Sequence, residues 1–143
     1  MADCQGCAIV AGAAQSDDLV AELPHSWLLL GAHQAFPGYG VLWSKAHAKE
    51  LHHLSPAAYA GFMDDLRRAS AAVEAASACW KLNVVSLGNV VQHAHAHLMP
   101  RAADDPLRLR HPWAHEARFD EAGEPGQRRA MIGRLRQALK EAP

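Results

Sequence analysis

The apolar and polar positions along the chain predict strands, one long helix and a second, terminal helix. Trp27-Leu28-Leu29-Leu30 is a continuous apolar run, and Tyr39-Gly40-Val41-Leu42-Trp43 follows the turn signal Pro37-Gly38. Two such runs joined by a short Pro/Gly segment predict an antiparallel pair. Ser55 then offers an N-cap and Pro56 a first helical residue. From there Phe62, Leu66, Ala69, Val73 and Ala76 recur at helical spacing, which predicts a helix to about Cys79 with one buried stripe. Asp64, Asp65, Arg67 and Arg68 are expected largely on its other side. Leu82 to Leu87 and His93 to Met99 predict two further strands around the turn Gly88-Asn89. Met131, Ile132, Leu135 and Leu139 give a last helix, about Gln127 to Lys140, one apolar face. Strands, helix, strands, helix without βαβ alternation predict an α+β fold, an antiparallel sheet with one main helix and a C-terminal helix.

At 143 residues the chain has the length of one domain, 1–143, with enough surface to bury a core. Its ends differ from its middle. Residues 1–20 carry Cys4-Gln5-Gly6-Cys7, the short apolar piece Ala8-Ile9-Val10 and a turn-like Ala11-Gly12. Residues 102–143 hold a polar, proline-containing tail before the final helix. That tail is long for a structureless connection, and reads as functional or draped on a partner. A net charge of −1 gives no basic field for duplex nucleic acid. No apolar run approaches the ~20 residues of a membrane span. The first residues lack the basic and apolar regions of a signal peptide, so a cytoplasmic location is expected.

Chemistry concentrates in one stretch, His93-Ala94-His95-Ala96-His97-Leu98-Met99. On a strand, alternate side chains share a face, so the three imidazoles are expected side by side, with Ala94, Ala96 and Leu98 opposite. Packing gives no reason for such a row, because every buried imidazole needs a hydrogen-bond partner. Two chemistries do. His-x-His on a strand can present ligands to a metal ion, and a neutral imidazole can act as a nucleophile toward phosphorus.

The pattern His-φ-His-φ-His-φ-φ, with φ apolar, resembles the signature of the histidine-triad superfamily. The likeness extends to Pro37-Gly38-Tyr39 with Ser44-Lys45-Ala46-His47, and to Leu82-Asn83 through Leu87-Gly88-Asn89. Asp104-Asp105-Pro106 and Pro112-Trp113 resemble the tail of diadenosine tetraphosphate hydrolase-like members in bacteria. This resemblance implies a histidine-triad fold, a homodimer and a hydrolase of dinucleoside polyphosphates or related phosphoanhydrides and phosphoramidates. It implies that His95 attacks the α-phosphorus to form a nucleotidyl-histidine, and that His97 bonds the phosphate or the leaving oxygen. His93 would orient the site or ligate a metal, and Asn89 and Ser86 would contact phosphate. Two departures stand out. Val90 and Val91 replace a Ser/Thr near the approach to the triad, and the polar residue that usually grips the ribose falls near Gly31. A nucleotidyltransferase or phosphorylase of the same superfamily, or a nucleotide- or metal-binding adaptor with little turnover, are the alternatives.

Cys4 and Cys7 have the spacing of half a zinc site, which histidines would have to complete. Zinc-containing members of the superfamily resemble this chain there, and imply a structural site of Cys4, Cys7, His47 and His93. No organic cofactor is expected. Of the rest, Cys79, Trp80 and Leu28–Leu30 are expected in the core, and His52 and His53 on the surface. Arg101 reads as a phosphate contact or a solvated side chain, and Trp113 as a base-stacking or packing surface.

Overall fold

The computed structural model describes residues 3–142. A first helix, α1 (Gln5–Gly12), leads through a single 3-10 turn into β1 (Leu19–Glu22), β2 (Ser26–Leu30) and β3 (Gly40–Ser44). Then come α2 (Pro56–Ser77), β4 (Lys81–Val85), β5 (His95–Arg101) and α3 (Pro125–Glu141). The five strands form one antiparallel sheet in the order β1-β2-β3-β5-β4. Both β3 and β4 pair antiparallel with β5, so they run parallel to each other, and α2 makes the crossover between them.

Local chemistry explains the main helix. The Ser55 hydroxyl accepts from the Ala58 N–H at 3.2 Å, Pro56 opens the first turn, and Ala78 ends it in the left-handed conformation at φ 49°. The helix therefore stops at Ser77, before Cys79. Phe62, Leu66, Ala69 and Val73 are buried as the spacing predicts. Asp65 is a correction: it is 1% exposed, on the core side. Its carboxylate accepts from the His25 N–H at 2.8 Å and the Ser26 hydroxyl at 2.7 Å, so it ties the start of β2 to α2. A buried carboxylate with two donors is tolerated where an unpaired one is not.

Strand alternation divides the interior in two. Leu28, Leu30, Leu42, Ala96 and Leu98 face α2 and α3 in one apolar cluster. Leu29, Val41, Trp43 and Met99 face the other way, into a cluster with Tyr39, Phe36 and parts of α1 and the tail. The second layer was hidden from periodicity. Ala8-Ile9-Val10 is part of α1, not a piece before a turn, and the short β1 carries too few residues to show a period. Trp80 and Cys79 lie outside both layers: Trp80 is 51% exposed and Cys79 is half-buried, because both follow the helix stop at the sheet edge. Among the described residues no helix is long and apolar enough to cross a membrane.

The tail is folded onto its own chain. Arg101, at the end of β5, is 0% exposed. Its guanidinium donates to Asp105 Oδ2 at 2.7 and 2.9 Å and to the carbonyls of Leu107 and Arg110. His115 closes the cluster at 2.8 Å from Asp105 Oδ1. Burial alone would raise the Asp105 carboxyl; Arg101, the Leu107 N–H and His115 overcome it and hold it below the usual carboxylate range. Arg101 is thus neither solvated nor a phosphate contact.

Candidate active site and metal centre

The strand register puts two of the three motif histidines side by side. His95 lies opposite Trp43 and His97 opposite Val41 on β3. The His95 ring stacks on Trp43 at 4.6 Å between centroids. The two imidazoles meet through their Nε2 atoms at 3.2 Å. His95 Nδ1 lies 2.5 Å from the His93 carbonyl oxygen, which can only accept. Nδ1 therefore carries the proton, and Nε2 of His95 holds a lone pair. His97 must then supply the hydrogen between the two Nε2 atoms. That leaves His97 Nδ1 as an acceptor, and the Tyr39 hydroxyl donates to it at 2.7 Å. One backbone carbonyl thus fixes the tautomers of His95 and His97 together.

Burial, with smaller contributions from His95 and His33, pushes His97 down to about 4. It is neutral near pH 7, as a hydrogen-bond relay between two neutral groups requires. Burial also raises the Tyr39 phenol above its ordinary value, so it stays a donor. Tyr39 carried no signal beyond its place after Pro37-Gly38. The alternation of Tyr39, Val41 and Trp43 puts it on the histidine face, but only the pairing of β3 with β5 shows what it meets.

His93 departs from the expected row. The strand starts at His95, and the segment before it turns: the His93 N–H bonds Val91 O and the Ala94 N–H bonds Ala48 O. The buried His93 ring donates from Nε2 to the Ser44 carbonyl at 2.8 Å, which turns the Nδ1 lone pair outward. That lone pair lies 3.7 Å from both Cys4 Sγ and Cys7 Sγ. His47 Nδ1 is 3.2 Å from Cys7 Sγ. All four donor atoms lie within 4.8 Å of one another. Tetrahedral zinc with sulfur and nitrogen ligands sets neighbouring donors roughly 3.3–3.8 Å apart, so the residues fit the ion. The bond to Ser44 is the outer-shell contact that fixes a ligating imidazole. Gly6 permits the approach, since a Cβ there would come 2.3 Å from His93 Cβ.

A cleft of about 720 Å³ opens beside His95 and His97. Ile9, Leu29, Val41 and Trp113 supply apolar walls, and Asp18 a carboxylate. Trp113 stands edge-on to His97 at 6.4 Å. Ser86 and Asn89 are exposed on the loop before the motif, and the cleft is lined by their neighbours Leu87, Gly88 and Val90 instead. The structure thus brings together His95, His97 and Trp113 at one place and Cys4, Cys7, His47 and His93 at another.

Known proteins share this arrangement of strands. A histidine triad protein from Bradyrhizobium japonicum is 26% identical, with a TM-score of 0.75 over 85% of this chain and 89% of that one. A hypothetical histidine triad nucleotide-binding protein from Sulfolobus tokodaii shares the fold at 16% identity and a TM-score of 0.75, over 96% and 93% of the two chains. A zinc-bound histidine triad family protein from Mycobacterium smegmatis does so at 23% identity and a TM-score of 0.73, over 98% and 95%. No curated protein matches. The model of the HIT domain matches residues 13–104, the stretch that carries β1 through β5 and the paired histidines, and the chain belongs to that family.

Proposed function

We propose that this chain is a nucleotide hydrolase that works through a covalent nucleotidyl-histidine at His95. The observation that carries the reading is the His95 tautomer: Nδ1–H is held by the His93 carbonyl, and Nε2 keeps a lone pair that accepts from His97, both residues lining the cleft. In the first step this lone pair forms a bond to the α-phosphorus. The bond to the leaving group breaks, and its electron pair departs with that group. His97 Nε2–H, released from His95, then bonds a phosphoryl oxygen. The imidazole becomes cationic, and its Nδ1–H bond to the carbonyl strengthens as the charge develops. In the second step the water oxygen bonds to phosphorus and a water proton passes to solvent, while the phosphorus–nitrogen bond breaks and its electron pair returns to Nε2. Dinucleoside polyphosphates and related phosphoanhydrides or phosphoramidates are the substrates of this reading.

The Cys4, Cys7, His47 and His93 cluster is read as a closed structural zinc site. Bound zinc would supply cross-linking of α1 to the segment before β5, and no chemistry. The homodimer belongs to the same reading. Trp80 and Val84, on and beside the edge strand β4, are exposed apolar residues suited to a second copy, which light scattering would test.

Intact-protein mass spectrometry after brief mixing with diadenosine tetraphosphate, or with adenosine 5′-phosphoramidate, tests the mechanism. A transient AMP adduct on wild type and none on His95→Ala is the expected result. Tight nucleotide binding with neither adduct nor product would make the chain an adaptor. Added inorganic phosphate that appears in the product would make it a phosphorylase.

A further inference from the structure

No step of the chemistry above uses the tail between β5 and α3, yet one of its rings joins a stack that ends on His97. Past the short 3-10 helix Pro112–Arg118, Phe119 lies flat on His33, with 4.2 Å between centroids and 4° between planes. His33 in turn lies on Tyr39, at 4.4 Å and 22°. Phe36 stands edge-on to both His33 and Phe119, at 6.3 and 6.1 Å. Tyr39 is the ring whose hydroxyl donates to His97. The tail is also bonded to this loop through the backbone, where the Gln34 N–H donates to the Glu121 carbonyl at 2.6 Å.

Hydrogen bonding does not account for His33. Its Nδ1 is buried and has no partner among the described residues, which is uncommon enough to need a reason. Packing supplies one, since aromatic rings at these separations attract one another beyond the area they bury. Burial pushes the His33 imidazole down, against the opposing pull of Glu121, so the stack carries no charge near pH 7. On the other side, a Cβ at Gly31 would come 2.1 Å from the Tyr39 ring, so the glycine leaves that ring its place. Gly31 gives room but no grip. The flat face that can keep the phenol from swinging away from His97 is the one made by His33 and backed by Phe119.

We propose that His33 is a positioning residue: clamped by Phe119 of the tail, it holds the Tyr39 ring in place and so orders the hydrogen bond that fixes His97. The tail thereby becomes part of the site without touching a substrate. The effect on turnover rests on the hydrolase reading above, while the ordered hydrogen bond does not. A ring that merely fills space would change the melting temperature and leave His97 as it is.

Nitrogen NMR of the histidine rings in the intact chain needs neither nucleotide nor turnover. In wild type the His97 Nδ1 signal should be that of a hydrogen-bonded acceptor, and Tyr39→Phe gives the reference for its loss. His33→Ala is expected to move the signal most of the way to that reference. His33→Phe keeps a flat ring and should return it toward wild type. Phe119→Ala should move it in the same direction as His33→Ala, and carries the test if His33→Ala fails to fold. An unmoved signal in His33→Ala or in Phe119→Ala overturns the assignment, as does a shift in His33→Phe as large as that in His33→Ala. With diadenosine tetraphosphate, His33→Ala should lower kcat by up to about 5-fold, the scale of the one hydrogen bond it orders, with KM little changed. Introduced into Tyr39→Phe, the same substitution should cost less than about 2-fold, because the bond it orders is already gone. A loss there as large as in wild type would show that His33 acts by another route, and overturns the assignment too. Absence of turnover in wild type would remove the hydrolase reading and leave the NMR result standing.

Discussion

The segment that carries the histidines is secured at each end by a buried polar cluster, and the two clusters are made differently. At the last residue of β5, Arg101 is satisfied by Asp105, Asn83 and two tail carbonyls, all of them groups of the chain. Before the first residue, His93 points a lone pair at two thiols, an arrangement suited to a metal. One fastening is complete as folded. The other, in the zinc reading, would be closed by the ion its four donors could hold. Between them the side-chain hydrogen bonds of His95 and His97, among the described residues, run to each other, to one carbonyl and to Tyr39. In the proposed mechanism the His95–His97 hydrogen bond is released to a phosphoryl oxygen, while the two flanking clusters take no part in the chemistry.

The comparison can be broken from the middle outward. His95→Ala should lower kcat/KM by about 10⁴-fold or more in a steady-state assay, with a melting temperature close to wild type. Retained turnover would remove His95 from the chemistry. Asp105→Ala should cost about 3–5 kcal/mol in urea denaturation, because it strands the Arg101 charge in the interior. A cost below about 1 kcal/mol would show that the tail does not fasten β5. Cys7→Ser should lose bound metal by elemental analysis. It should lower kcat by about 10–100-fold through the loosened His93 carbonyl rather than through the chemistry itself. If activity is untouched, the two ends are independent of the centre.

Tyr39→Phe removes one neutral hydrogen bond and is expected to cost about 1 kcal/mol, near 5-fold in kcat, with little change in KM. The smallest effect concerns acid. His97 takes up its proton at about 4 when folded, against an ordinary value near 6.5. Its contribution to stability is therefore complete above pH 6.5 and is lost as pH falls toward 4. Thermal melts across that window should fall more steeply for wild type than for His97→Asn. Parallel curves would mean that the ring is not held neutral by its surroundings.

What the residue pattern revealed follows from how far each signal reaches. His95 and His97, the Cys4-x-x-Cys7 pair and the stripe on α2 are local, and a period or a spacing shows them. The ligand set with His47 and His93 came only from resemblance, since nothing local links residue 7 to residue 93. Asp65 was hidden because its donors lie forty residues away in sequence and override the polar-outward pattern of α2. Arg101 was hidden for the same reason, as its partners are carbonyls of a tail that has no period. Ser86 and Asn89 sit on the loop expected to approach phosphate, but that loop turns their side chains to solvent. β5 starts at His95, two residues after the alternation begins, because the pattern continues through His93 while the hydrogen bonding does not.

The contact of the Tyr39 ring with Gly31 binds the fates of two positions. A carboxylate or amide introduced at 31 has nowhere to go while the ring is there. A smaller side chain at 39 opens a hole where the glycine gives nothing to fill it. Each single change is worse than the pair, so the two sites should show strong non-additivity. A lineage could move between this arrangement and one with a polar residue at 31 only by a compensated double step, so chains that carry this pair should keep the two residues together or exchange them together.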